Sequence, residues 1–282
     1  MFTLCKERVK DTWDRTGRDR RTENFDTLRL ETVCLFFSVF GNNSSKEVRL
    51  LKWNNRLAKK DSWSGEISNK DAKQRVADEV SRFVKNGDTI GVGSGSTSFL
   101  ALQSIAERVK QENLEVLAIP TSLEAMMNCS KLGLKTTTLS AARPDWGFDG
   151  ADEVDGQNRL IKGRGGALFA EKLVMASSPK TYILVDESKF VERLGEKFAV
   201  PIEVDPRAVH LVETSLERYA AREVTMRMAQ SKDGPLITEA GNILLDVRFD
   251  HIEDGMEKEL SSIPGVIETG LFIGYSVEIL TV

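Results

Sequence analysis

Apolar positions first recur at helical spacing at Ala72, Val76, Val80, Phe83 and Val84, predicting a helix that opens near Ser68 and ends before Gly87. Ser68 and Asp71 have the spacing of a capping box. The run Thr89-Ile90-Gly91-Val92 predicts a short strand, followed by a helix that continues to about Lys110. Residues 114–119 form a near-continuous apolar strand, and residues 122–132 a helix stopped by Gly133. On that helix the stripe of Met126, Met127 and Leu132 reads as core. Residues 134–139 predict another strand, and Trp146-Gly147-Phe148 has the look of a strand end. A helix over about 166–177 and a strand over 181–185 complete this rhythm. Buried-type strands alternating with helices indicate a parallel sheet covered on both faces.

After Val200 the pattern changes. Residues 201–204 read as a strand, 209–219 as a helix, 223–228 as a strand, and 236–249 as a strand bent at Gly241-Asn242. A helix over 254–263 and a strand over 266–272 follow, completing a β-α-β-β-α-β order, the ferredoxin-like arrangement. The predicted class is therefore α/β: a Rossmann-like, doubly wound parallel sheet with a smaller ferredoxin-like α+β domain inserted near the C-terminus. The expected boundaries are 63–199 for the Rossmann-like domain, completed by 270–282, and 200–269 for the smaller ferredoxin-like α+β domain.

Residues 1–62 hold no sustained period and are expected to be a poorly ordered extension. Charge sets this segment apart: residues 1–60 carry 14 Lys/Arg against 8 Asp/Glu, whereas 61–282 carry 25 against 35. Asp11, Asp14, Asp19, Glu23 and Asp26 count against an organelle transit peptide. A formal net charge of −4 gives no reason to expect nucleic acid or an anionic membrane as partner. The longest apolar run, residues 33–40, falls far short of the roughly 20 residues a spanning helix needs. Cys5, Cys34 and Cys129 lack metal-ligand spacing, and His210 and His251 alone do not build a zinc site, so no metal is expected. A reducing, cytoplasmic compartment is the default reading.

Several stretches carry chemistry that a core does not need. Gly93-Ser94-Gly95-Ser96-Thr97 follows a strand and opens a helix, so its amides and hydroxyls suit an anion, phosphate above all. It matches neither G-x-G-x-x-G nor the P-loop, which favours a small phosphorylated molecule over a nucleotide; a tight turn with glycines for close packing is the alternative. Asp149 and Asp152 follow a strand end, at the sheet edge where ligands of open α/β folds bind. They could hold sugar hydroxyls or a divalent cation, or form an acidic surface turn. Lys162 precedes the bend Gly163-Arg164-Gly165-Gly166, where an ammonium and nearby amides can meet developing negative charge. Glu171 has Ala167, Leu168, Val174 and Met175 as its helical neighbours. Burial there would raise its pKa towards the working pH, as a proton-shuttling base requires; the alternative is a salt bridge to Lys162 or Lys189. Lys189 again follows a sheet strand and could meet phosphate or sugar oxygen.

In order and spacing, Gly-Val-Gly-Ser94-Gly-Ser-Thr97, Asp149-Gly-Ala-Asp-Glu, Lys162-Gly-Arg-Gly-Gly-Ala and Glu171-Lys172 resemble type A ribose-5-phosphate isomerase, over about residues 68–272. The resemblance implies cofactor- and metal-independent interconversion of D-ribose 5-phosphate and D-ribulose 5-phosphate, a step of the pentose phosphate pathway. It makes Glu171 the base that moves a proton between C2 and C1 through an enediolate, with Lys162 and nearby amides stabilising the oxyanion. It assigns Asp149, Gly150, Ala151 and Asp152 to the sugar, with Asp149 a candidate for ring opening. Ser94, Gly95, Ser96 and Thr97 become a substrate loop, Gly163, Arg164 and Gly165 part of the pocket wall, and Lys189 and Lys73 lysines near the phosphate. It also implies a homodimer or homotetramer. Arg164 stands where the family often has a third glycine, and residues 274–282 are shorter than the expected closing strand pair.

Two rivals use the same features. A coenzyme A transferase would employ a glutamate nucleophile but needs room for a long thioester. A sugar-phosphate sensor of a regulator would want a helix-turn-helix near the N-terminus, and none is convincing there.

Overall fold

The computed structural model describes residues 66–281, so the expectations for residues 1–62 lie outside the described residues. Helix α1 spans Lys70–Ser81 and turns Val76, Ala77 and Val80 inward. It does not start with the expected capping box. Asn69 adopts a left-handed conformation (φ 51°) with no side-chain cap, and Ser68 Oγ instead accepts from Lys73 Nζ at 3.3 Å. Strand β1 (Thr89–Val92) runs into helix α2 (Ser96–Glu112); β2 is Leu117–Pro120, α3 Leu123–Leu132 and β3 Lys135–Thr136. Ser122 caps α3 by accepting from the Ala125 amide, and Gly133 ends it at φ 82°, as its sequence signals predict. The face of α3 differs from expectation. Ala125, Asn128 and Cys129 are buried, whereas Met126 and Met127 are 39% and 63% exposed, because the inward stripe runs one position away from them.

Strand β4 (Trp146–Asp149) is buried throughout and ends on the first site aspartate. After it come β5 (Glu153–Val154), β6 (Leu160–Ile161), helix α4 (Leu168–Ser177) and β7 (Thr181–Leu184). The chain continues through β8 (Val200–Val204), helix α5 (Val209–Leu216), β9 (Ala221–Met226), β10 (Ile243–Phe249), helix α6 (Met256–Ser261), β11 (Val266–Thr269), β12 (Leu271–Phe272) and β13 (Val277–Leu280).

Three sheets result. The first has six strands in the order β13-β7-β4-β1-β2-β3, and every neighbouring pair is parallel. Chain order runs outward in both directions from β1 and β4, so these two strands flank the switch point, whose carboxyl-end crevice is where open α/β sheets bind ligands. The short segment after Gly274 suffices to close the sheet, since β13 pairs in parallel with β7. The second sheet is antiparallel, ordered β11-β8-β10-β9, and with α5 and α6 it has the expected β-α-β-β-α-β course. Here residues 236–249 are not one bent strand. The chain folds back with Thr238 N donating to Asn242 O at 2.8 Å, Gly241 at φ 83°, and only 243–249 in the ladder.

The third sheet, β12-β6-β5, has two-residue strands that no hydrophobic period could reveal. The expected strand over 266–272 is broken at Gly270, where a Cβ would lie 2.4 Å from Lys162 O and 2.6 Å from Pro201 Cδ. Only glycine allows this approach, and the chain passes there from the second sheet to the third. Lys162 N donates to Gly270 O at 2.9 Å, which anchors the backbone of the site lysine.

Candidate active site

The three candidate groups meet at the switch point. Asp149 lies at the end of β4, Lys162 directly after β6, and Glu171 in the first turn of α4. Lys162 Nζ lies 3.0 Å from Asp149 Oδ2 and 3.1 Å from Glu171 Oε2, and it donates to Gly150 O at 2.6 Å. All three are buried: the Lys162 side chain is 3% exposed and that of Glu171 7%. Asp149 Oδ1 accepts from the Gly150 amide at 2.8 Å and lies 3.5 Å from Ser98 Oγ. Gly93 makes room for it, since a Cβ there would meet Asp149 Oδ1 at 2.2 Å.

Glu171 is thus buried on the apolar face the sequence predicts, and it also meets Lys162, as the salt-bridge alternative expects. It is paired with Lys162, yet its Oε2 accepts no hydrogen bond of good geometry. Burial, reinforced by the Asp149 charge and opposed by Lys162, raises its pKa to about 7. Burial also pushes Asp149 above the usual carboxylate range, against the pull of Lys162. For Lys162 burial works downward, but the Asp149 and Glu171 charges outweigh it and hold the ammonium firmly protonated. The site thus keeps a permanent cation beside a carboxylate that changes charge near neutrality.

The loop from Ser94 to Thr97 is less open than expected. Ser94 Oγ hydrogen-bonds Thr121 Oγ1 at 2.9 Å and Ser122 Oγ at 2.7 Å, and the Gly95 amide donates to Glu124 Oε2 at 3.2 Å. Ser96 Oγ accepts from Lys73 Nζ at 3.3 Å; Thr97 is half-buried at the start of α2. Lys73 is buried and its pKa is lowered, first by that burial; Asp186 opposes the shift, and the charges of Lys189 and Arg164 add to it. Lys73, Lys189 and Arg164 thus lie within electrostatic reach of one another. Phe198 lies between two of them: its ring centroid is 5.4 Å from Lys189 Nζ and 5.7 Å from Arg164 Cζ.

Asp152 is half-exposed and accepts from the Arg164 amide at 3.1 Å. Gly150 and Ala151 are half-buried, Gly163 is buried and Gly165 exposed. Gly163 has φ 105°, and a Cβ on it would meet Leu168 Cδ2 at 2.7 Å, so this residue makes the bend into α4. A cleft of about 420 Å³ opens beside Asp152 and Arg164, with Arg227 and Asp246 also lining it. Among the described residues no cluster of three His, Cys, Asp or Glu side chains is set to hold a metal ion. Glu124, Asp186 and Phe198 are not among the residues singled out from sequence. Glu124 alone left a usable signal there, a carboxylate two positions past a helix cap at the end of a sheet strand.

A parallel sheet with its chemistry at the switch point, a carboxylate poised near neutrality and three gathered cations define an α/β enzyme that moves a proton on a small anionic substrate. The family model described as Ribose 5-phosphate isomerase A (phosphoriboisomerase A) matches residues 117–281. The chain belongs to this family, and its reaction is the interconversion of ribose 5-phosphate and ribulose 5-phosphate in the pentose phosphate pathway. It is 43% identical over 202 residues to ribose-5-phosphate isomerase A of Methanothermobacter thermautotrophicus, covering 71% of this chain and 87% of that one. The solved ribose 5-phosphate isomerase A of Methanocaldococcus jannaschii superimposes with a TM-score of 0.73 at 41% identity, over 75% of this chain and 95% of that one. A D-ribose-5-phosphate isomerase in complex with phospho-erythronic acid gives a TM-score of 0.72 at 36% identity, over 74% and 94%. Family membership sets aside the coenzyme A transferase and sensor readings. No described helix is long and apolar enough to cross a membrane.

Proposed function

We propose that Glu171 is the base of the isomerisation, with Lys162 as its electrostatic partner. In the ring-opened aldose the Glu171 carboxylate takes the C2 proton, and the electron pair moves into the carbonyl to leave an enediolate. The same carboxyl then returns the proton at C1, while the hydroxyl proton passes between O2 and O1, giving the ketose. Lys162 meets the charge that develops on those oxygens, in a dry site where such contacts are strongest. Asp149, buried beside Lys162, assists ring opening, and Asp152 binds a sugar hydroxyl, with Gly150, Ala151, Gly163 and Gly165 along the wall. Lys73, Ser96, Lys189 and Arg164 take the phosphate, with Ser94, Gly95 and Thr97 shaping the loop beside it.

The observation that carries this reading is a buried Glu171 oxygen that accepts no hydrogen bond, 3.1 Å from the Lys162 ammonium. The relative bound to phospho-erythronic acid, a four-carbon sugar-acid phosphate, supports a small sugar phosphate as the ligand. Glu171→Gln should lower kcat by on the order of 10²-fold or more, the upper range for general acid–base catalysis. Ketose formation from ribose 5-phosphate measures it, and near-wild-type turnover in that variant would remove Glu171 from the mechanism. We also read the enzyme as a homodimer or homotetramer working in the cytoplasm; Cys129 is a free, buried thiol.

A further inference from the structure

The bend after Lys162 is closed by the Gly166 amide donating to Gly163 O at 3.0 Å, and from the antiparallel sheet the side chain of Arg227 hydrogen-bonds to it. Arg227, just past the end of β9, donates from Nη1 to Gly163 O and to Arg164 O, both at 2.9 Å. The rest of its guanidinium forks onto Asp246 of β10, with Nε donating to Oδ2 at 2.8 Å and Nη2 to Oδ1. Its backbone is pinned as well: Arg227 N donates to Leu244 O, and Arg227 O accepts from Leu236 N, each at 2.9 Å. The guanidinium is thus fixed at both ends before it reaches the bend.

Peptide planarity turns this grip into orientation. Across a trans peptide the carbonyl of one residue and the amide N–H of the next point in opposite directions, and the described residues contain no cis bond. Drawing the Gly163 and Arg164 carbonyls onto Arg227 therefore turns the Arg164 and Gly165 amides the other way. The Arg164 amide accordingly meets Asp152 Oδ2 at 3.1 Å. Gly165 is exposed, and its amide leaves the backbone in the sense opposite to its neighbour's anchored carbonyl. Stability alone does not call for this device. The Arg227–Asp246 fork is complete without the bend, and the carbonyl of an exposed Arg164 could be met by water instead.

We propose that Arg227, braced by Asp246, is a positioning residue for the isomerisation. It sets the peptide planes beside Lys162, so that the Arg164 amide orients Asp152 and the Gly165 amide faces the sugar oxygens. The proposal rests on the reading of the Lys162 bend as the wall that meets those oxygens.

Calorimetric affinities for phospho-erythronic acid and for inorganic phosphate, corrected for the fraction of competent protein, test it alongside steady-state kinetics. Arg227→Met should weaken phospho-erythronic acid roughly tenfold, the worth of one charge-assisted hydrogen bond, and leave inorganic phosphate within about twofold. It should lower kcat roughly tenfold, with a smaller rise in KM, and Arg227→Lys should recover part of the loss. Unchanged kcat and affinities, or equal weakening of both ligands, would overturn the proposal, because a merely structural role predicts one of those results. If Arg227→Met does not fold, Asp246→Asn removes the brace's charge and is held to the same two affinities. Glu171→Gln serves as the parallel control: if it keeps its turnover, the site reading falls and this proposal with it. If it is inactive while Arg227→Met is normal, the Arg227 proposal alone falls.

Discussion

Glu171 and Lys162 share one buried contact, and with Glu171 as the proposed base its proton should set the pH range in which the enzyme works. In the folded chain Glu171 holds its proton up to about pH 7, against an ordinary value of 4.5, chiefly because burial disfavours its charge. As a base it is spent once protonated, so kcat/KM should fall about tenfold per pH unit below pH 7. A profile flat from pH 5 to 8 would contradict the assignment. The same shift bears on stability. Protonation favours the folded state, so this contribution is fully present below pH 4.5 and is lost as pH rises through 7. Glu171→Gln should therefore melt close to wild type at pH 4 and above it at pH 8. This residue was legible in sequence because its helical neighbours are apolar. The occupied hydroxyl of Ser94 was not, because its partners Thr121 and Ser122 stand at the end of the adjacent strand, nearly thirty positions along the chain.

Among the elements, β1 and β4 come together tightly enough to exclude any side chain at Gly93. An alanine there would place its Cβ 2.6 Å from Asp149 Cα, a backbone contact that no rotamer relieves. Gly93→Ala should cost about 1–3 kcal/mol, as overpacking does, and should lower kcat by shifting Asp149; denaturant titration and turnover read the two effects. Helix α4 is fixed from its other side by Lys172. Lys172 Nζ donates to Glu257 at 2.7 Å, Glu268 at 2.8 Å and Leu271 O at 2.7 Å, and Glu257 in turn accepts from the Ile273 amide and Tyr275 hydroxyl. Lys172→Met leaves both carboxylates without their cation and should cost about 3–5 kcal/mol in a denaturant titration; a loss below 1 kcal/mol would mean the network is replaceable. Long elements such as α2 and the capped α3 could be read from their period and end signals. The break at Gly270 could not, since its cause is Lys162 O and Pro201 arriving from remote parts of the chain.

For the whole molecule, alternating strands and helices followed by the β-α-β-β-α-β course already predict the layered architecture. What they leave open is how the two parts touch, because this depends on two-residue strands and on single contacts such as Arg227 to the bend after Lys162. Assembly belongs to this scale too. Leu123, Met126 and Met127 leave an apolar stretch of α3 exposed, and surfaces of this kind are commonly covered by another molecule. Sedimentation velocity should place the enzyme at two or four chain masses; a single chain mass at working concentrations would refute the oligomer. The pairing of β13 with β7 also matters while the chain is being made. About 96 residues separate Thr181 from its partner Val277, which at ribosomal speed is roughly 5–20 s. Throughout that interval the nascent sheet carries an uncapped flank able to recruit a stray strand, and holding it covered becomes work for whatever escorts the polypeptide off the ribosome.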